Sequence, residues 1–355
     1  MGNRHKAIWA AAASVALVGL LTACKSSGGN QVITISGAGS TFINPAMTRW
    51  TYEFTQSHPK VHVNYQSIGS GAGIQQIRAN TVDFGASDAA LTDSQLKEMP
   101  PVLQIPESAG PVCITYNLPE LKQPLRLSPQ ALAGIFLGSI KSWKDPIIAK
   151  DNPGVSLPDK PVLVSHRSDA SGTTSIFTTY LDAVNPEWKQ KVGAGTAVSW
   201  PTGIGGKGSE GVTANIQNAE GAIGYVELSY AQQNNLPTAS IENAAGKYIQ
   251  PTAEGTTAAI AAYSADLEKD PRTPIVNPPA SAPAAYPIAG LTFLIIPKDG
   301  PDKAKRTALK QFIEYMITDG QALAGTLSYA PLPESIRNYD EQQRRQMTAA
   351  GQAIP

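Results

Sequence analysis

One arrangement recurs along this chain and constrains it most: an apolar alternating stretch, a loop of glycine and hydroxyl residues, then apolar residues at helical spacing. Gln31 to Ser36 alternates around Ile33 and Ile35. Gly37-Ala38-Gly39-Ser40-Thr41-Phe42 follows, and Ile43, Ala46, Met47, Trp50 and Phe54 then mark a helix face. Val61, Val63 and Tyr65 alternate as a second strand that ends in Ser67-Ile68-Gly69-Ser70-Gly71-Ala72-Gly73, with Ile74 and Ile77 opening a short helix. Val82 and Phe84 mark a third strand leading to Gly85-Ala86-Ser87-Asp88. Strands that alternate with helices fold as α/β and place ligands at the carboxyl ends of the strands.

The clearest instance lies further on. Val162-Leu163-Val164-Ser165 reads as a strand, and Ile176, Phe177, Tyr180, Leu181 and Val184 recur as a helix face. Between them runs Arg167-Ser168-Asp169-Ala170-Ser171-Gly172-Thr173-Thr174. Ser171 suits an N-cap, and Gly172 lets a guest approach the backbone. The first N–H groups of the helix have no internal partner and lie at the positive end of its dipole. With Arg167 beside them, they describe an anion seat. Taken alone, the stretch fits an ordinary capped helix start equally well.

Other segments limit the alternatives. Gly37-Ala38-Gly39 lacks the third glycine of a dinucleotide fingerprint, whose place Phe42 takes. Gly203-Ile204-Gly205-Gly206-Lys207-Gly208 lacks the Lys-Ser/Thr ending of a phosphate loop and reads as a structural turn with a solvated lysine. Pro100, Pro101 and Pro106 suggest a crossover, after which a second unit opens at Val112. Thr273 to Pro287, rich in proline and alanine, reads as an irregular surface loop. The polar tail from Asn338 to Pro355 reads as peripheral. Leu291 to Ile296 is the last strong strand, and Ala308, Leu309, Phe312, Ile313, Met316 and Ile317 stripe a helix. His58, His62 and His166 form no metal-ligand pattern, and no serine has a recognisable histidine and acid partner set, which argues against a phosphatase.

At the N-terminus Arg4, His5 and Lys6 precede an apolar run from Ala7 to Leu21 and then Leu21-Thr22-Ala23-Cys24. The run is shorter than the ~20 residues a membrane span requires. Leu21 to Cys24 resembles the lipobox of bacterial lipoproteins, which implies cleavage before Cys24 and acylation of that residue. Residues 1–23 are thus expected to be a signal peptide and 24–30 a lipidated tether. The remaining cysteine, Cys113, is expected to be a small buried hydrophobe. A net charge of +0 with 16% charged residues gives no basic face, so nucleic acid is not an expected partner.

Four stretches together resemble one family: Gly37 to Phe42, Thr81 to Asp88, Arg167 to Thr173, and Gly221-Ala222-Ile223-Gly224-Tyr225-Val226-Glu227. They are similar, in the same order from about Ile33 to Pro333, to the phosphate-binding protein of bacterial ABC-type phosphate importers. The resemblance implies a two-lobed periplasmic-binding-protein fold of type II. Each lobe would be a mixed sheet flanked by helices, and two crossover strands would form the hinge. It implies lobe 1 from residues 31–107 and 287–355, and lobe 2 from 108–286. It also implies phosphate contacts from Thr41, Phe42 through its backbone N–H, Ser70, Asp88, Arg167, Ser171, Gly172 through its backbone, and Thr173. Ile43, Gly71 and Ala170 depart from the family's usual proline, serine and glycine without removing an assigned donor.

Chemistry supports these roles. Burying a doubly charged anion is costly unless many donors replace its hydration, which hydroxyl groups and helix-terminal N–H groups do. Arg167 supplies the charge-assisted contact, and Asp169 is expected to orient it. Asp88, a carboxylate beside an anion, is repulsive unless it accepts a proton from that anion. Protonated phosphate offers one and sulfate does not. The expected protein is a non-enzymatic, monomeric receptor without cofactors, held to the membrane through lipid alone. It would deliver phosphate to a permease and ATPase complex. A receptor for another oxyanion and a secreted phosphatase are the alternatives.

Overall fold

The computed structural model describes residues 32–355, so the expected signal peptide, the expected lipidation site Cys24 and the expected tether lie outside the described residues. Eight strands form one sheet: β1 Ile33–Gly39, β2 Val61–Ser67, β3 Phe84–Ser87, β4 Val102–Tyr116, β5 Leu163–Arg167, β6 Ile204–Gly206, β7 Ala222–Glu227 and β8 Ala289–Pro297. Their spatial order is β2-β1-β3-β8-β4-β7-β5-β6. β1 runs parallel to β2 and β3, and β5 runs parallel to β7 and β6. The antiparallel strands β8 and β4 join these two parallel blocks. β4 pairs with β8 through Pro111 and with β7 from Val112 onward, so one 15-residue strand serves both blocks.

The parallel pairings follow from the strand, loop and helix arrangement, because parallel neighbours need a crossover element and here a helix supplies it. The relevant helices are α1 Asn44–Ser57, α2 Ser70–Arg78, α3 Gly172–Val184, α4 Gly208–Asn218, α5 Lys303–Ile317 and α6 Glu334–Arg345. α1 buries Ala46, Met47, Trp50 and Phe54, the face read from its spacing. Phe312 of α5 packs 5.0 Å from the Phe54 ring and 6.1 Å from Phe84. In the other block Phe177 of α3 stacks 4.6 Å from Tyr225 of β7 and meets Phe136 at 4.7 Å. Each such side chain contributes about 1.5–3 kcal/mol by burial. These contacts fix the amino ends of the helices over the carboxyl ends of the strands. Gly73 allows one close approach: a Cβ there would lie 2.5 Å from Gly39 Cα and 2.6 Å from the Ala38 carbonyl oxygen.

Three expectations change. Thr273 to Pro287 is irregular, yet Ile275, Val276, Ala285 and Tyr286 are buried, and Tyr286 donates its hydroxyl hydrogen to the Val112 carbonyl at 3.0 Å. The prolines prevent regular structure without keeping the segment off the core. The tail is also integral. Met347 and Ile354 are buried, and Lys310 of α5 donates to the Ile354 carbonyl at 2.7 Å. Its few apolar residues find a hydrophobic surface that its overall polarity conceals. Gly203 to Gly208 is strand β6 running into α4, whose amino end reaches the site described next. Cys113 is free and fully buried, as its neighbours Val112 and Ile114 suggest.

Candidate functional site

The loops after β1, β3 and β5 and the amino ends of α2, α3 and α4 converge on one buried cluster. Arg167 ends β5, and its backbone N–H donates to the Tyr225 hydroxyl at 3.1 Å. Its guanidinium is held from two sides. Nε and Nη2 donate to the two carboxylate oxygens of Asp169 at 2.8 and 2.6 Å, while Nη1 donates to Thr41 Oγ1 at 3.1 Å. Burial disfavours the Asp169 charge, but the paired Arg167 and the Gly208 N–H outweigh it and hold the carboxyl below the usual range. Asp169 therefore orients the buried Arg167 by a fork-to-fork contact.

Ser171 is the N-cap of α3, its Oγ accepting from the Thr174 N–H at 3.1 Å. The Gly172 N–H, free of intrahelical partners by position, donates instead to Ser70 Oγ at 3.1 Å. Asp88 follows β3. Its Oδ1 accepts from the Ser40 hydroxyl and its Oδ2 from Thr173 Oγ1 at 3.3 Å. Burial raises the Asp88 carboxyl to about 6, against the lowering pull of Ser40, Arg167, Thr292 and Thr173. Asp88 is thus mainly ionised at neutral pH and only 5% exposed. Phe42 is fully buried ahead of α1, and its carbonyl accepts from the Tyr329 hydroxyl at 2.6 Å.

Thr41, Phe42, Ser70 and Asp88 come from the first parallel block, and Arg167, Asp169, Ser171, Gly172 and Thr173 from the second. The structure brings the two sets together along a seam. Gly71 N–H to the Ala170 carbonyl at 3.0 Å extends that seam. Several participants escape a reading of motifs. Ser209, at the start of α4, approaches Thr41 Oγ1 through both its Oγ at 2.8 Å and its N–H at 3.3 Å. Tyr230 donates to the Thr41 carbonyl at 2.8 Å. Ser40 lay inside a singled-out loop, and Ser209 follows the glycine run directly; both signals were present. Tyr225 lies within the Gly221 to Glu227 stretch that carries the family resemblance, whereas Tyr230 has no local signature. Beside Asp88 a cavity of about 370 Å³ opens between Thr92, Ser175, Arg272 and Phe293. Among the described residues, no group of three or more His, Cys, Asp or Glu side chains is placed to hold a metal ion.

A guanidinium, a set of hydroxyl groups, helix-terminal N–H groups and one carboxylate make a candidate site for an oxyanion. Comparison with known proteins gives the chain its family. A model described as a PBP superfamily domain matches residues 25–320. The phosphate-binding protein PstS of Xylella fastidiosa (strain Temecula1) is 44% identical over 305 residues, covering 86% of this chain and 83% of that one. The chain belongs to the PstS phosphate-binding protein family. Another PstS, from Methanocaldococcus jannaschii, is 38% identical over 331 residues, covering 86% and 84% of the two chains. Among solved structures, a high-affinity periplasmic phosphate-binding protein bound with phosphate superposes with a TM-score of 0.71 at 23% identity, covering 87% of this chain and 93% of its own. This PstS-family chain therefore has the periplasmic-binding-protein fold. No described helix is long and apolar enough to cross a membrane.

Proposed function

We propose that this chain is an extracytoplasmic receptor that captures inorganic phosphate and hands it to the permease of an ABC-type phosphate importer. The observation that carries the reading is Asp88. An ionised acceptor stands among donors that otherwise suit any oxyanion, and it selects one with a hydrogen to give. Thr41, Ser70, Thr173 and Arg167 supply side-chain donors, with Ser171 close by as the cap of α3. Phe42 and Gly172 supply backbone N–H groups. The names of the PstS relatives support this reading.

In this reading lobe 1 comprises residues 31–107 and 287–355, and lobe 2 comprises 108–286. They close on the ligand about β4 and β8, a hinge motion of the usual repertoire. Contacts such as Ser70 with Gly172 belong to the closed form. Cys24 carries the lipid that holds a monomer at the periplasmic face or cell surface, and the partner complex is the permease with its ATPase. The protein is a carrier, not an enzyme.

Calorimetric titration of the purified protein with phosphate, sulfate and arsenate tests the reading. Phosphate is expected to bind tightly, arsenate in part, and sulfate more weakly by at least about 100-fold. An unmatched charged acceptor facing a second anion costs about 3 kcal/mol. Asp88→Asn is expected to narrow that gap. Equal binding of sulfate by the unaltered protein favours a receptor for another oxyanion and overturns the phosphate reading.

A further inference from the structure

Glu107 is fully buried in β4, where its carboxyl has no obvious purpose. The ladder between β4 and β8 slips at that residue: Thr292 pairs with Ser108 and Phe293 with Pro106. Glu107 is thus the extra residue of a β-bulge, a device that re-aims a side chain. Pro106, with no N–H to contribute, precedes it. From outside the sheet Gln321 Nε2 donates to the Glu107 carbonyl at 2.9 Å, so the irregularity is supported rather than tolerated.

The re-aimed carboxyl meets the Thr292 hydroxyl, with Oγ1 3.2 Å from Glu107 Oε1, while Oε2 has no hydrogen-bond partner among the described residues. β8 also pairs with β3, Phe293 lying opposite Ser87. One step along the ladder sets Thr292 next to Asp88, and the Thr292 hydroxyl is among the groups that pull the Asp88 carboxyl down. Thr292 therefore stands between two buried carboxyl groups with a single hydrogen to give. Were both ionised, two negative charges would share a buried site and one would face a hydroxyl lone pair. A neutral Glu107 resolves this. Its O–H donates to Thr292 Oγ1, and Thr292 donates to Asp88. Burial, with the Asp88 charge adding to it, holds the Glu107 carboxyl well above the usual range.

Resting on the phosphate-receptor reading above, we propose that Glu107 and Thr292 are positioning residues for ligand selection: a neutral acid whose hydrogen, passed on through Thr292, keeps Asp88 an acceptor facing the ligand's proton. Ser40, Thr173 and Thr292 then fill three of the roughly four acceptor positions of a carboxylate. The remaining one faces the ligand. The direction of every hydrogen bond, from Glu107 to Thr292 to Asp88, is fixed by one buried proton.

Paired substitutions in the full-length protein test the relay, with phosphate and sulfate titrated by calorimetry at one neutral pH and folding checked by circular dichroism. Thr292→Val is expected to weaken phosphate binding about tenfold and to narrow the phosphate-to-sulfate ratio by a similar factor. Thr292→Ser, which keeps the hydroxyl, is expected to restore most of both. Likewise Glu107→Leu is expected to lose selectivity, whereas Glu107→Gln, whose amide still donates, keeps more of it. Equal losses within either pair assign the effect to packing and overturn the relay, as does an unchanged ratio in Thr292→Val. Unaltered protein that binds no phosphate overturns the receptor reading and the relay together. Unaltered protein that binds phosphate beside unresponsive variants overturns the relay alone.

Discussion

Gly172→Ala separates the capture of ligand from the stability of the fold. Gly172 is the first residue of α3 and lies outside the left-handed region, so alanine fits its backbone. Alanine is favoured over glycine in a helix by about 1 kcal/mol, less at a first-turn position. The isolated helix therefore gains slightly. The seam does not. A Cβ at this position would lie 2.6 Å from both Asp88 Cβ and Asp88 N, and 2.7 Å from Asp88 Oδ2. Ordinary contact begins near 3.4 Å, so the two sides must part by about 0.8 Å. Such a shift stretches the 3.1 Å contact of the Gly172 N–H with Ser70 and the 3.3 Å contact of Thr173 with Asp88 beyond hydrogen-bond range. One neutral and one charged hydrogen bond are lost, about 3 kcal/mol together. Phosphate affinity should fall roughly 100-fold. Calorimetry reads the affinity and a thermal melt of the unliganded protein reads the fold, which should melt within a few degrees of the unaltered chain. An alanine variant that binds phosphate within threefold of the unaltered protein refutes the geometry of the seam.

Two further substitutions probe charge placement and burial. Arg167→Lys keeps the positive charge but loses the planar fork that engages Asp169 and Thr41. Phosphate titration should show affinity lower by about 10- to 100-fold, and unchanged binding would reduce Arg167 to a point charge. Glu227 is fully buried, and burial, against the donors of Ser229, raises its carboxyl from 4.5 to about 8. The folded chain then holds a proton that the unfolded chain releases, so stability falls as pH rises from 4.5 to about 8, by at most about 5 kcal/mol. Glu227→Gln should flatten that decline. Melting temperatures of the two proteins that stay parallel across this range would show that Glu227 does not titrate with folding.

Local pattern alone settled a good deal about this protein. The period-two and helical spacings set α1, β1 and β2. The hydroxyl and glycine loop after Val162–Ser165 marks Arg167, Ser171 and Gly172 as an anion seat, because capping and backbone approach are short-range demands, while Thr41, Ser70, Asp88 and Thr173 follow from the family resemblance. Asp169, two residues from Arg167, needed only its proximity.

Tertiary structure decided the rest. Buried irregular segments such as Ile275 to Tyr286 acquire their place from distant surfaces, which composition does not encode. Ser209 meets Thr41 only because the start of α4 is carried across the seam. Glu107 looks like any polar residue in an apolar strand. Its partnership with Thr292 depends on a one-residue slip between strands more than 180 residues apart. Register of that kind is set by long-range pairing, and a chain read in order contains no measure of which strands become neighbours.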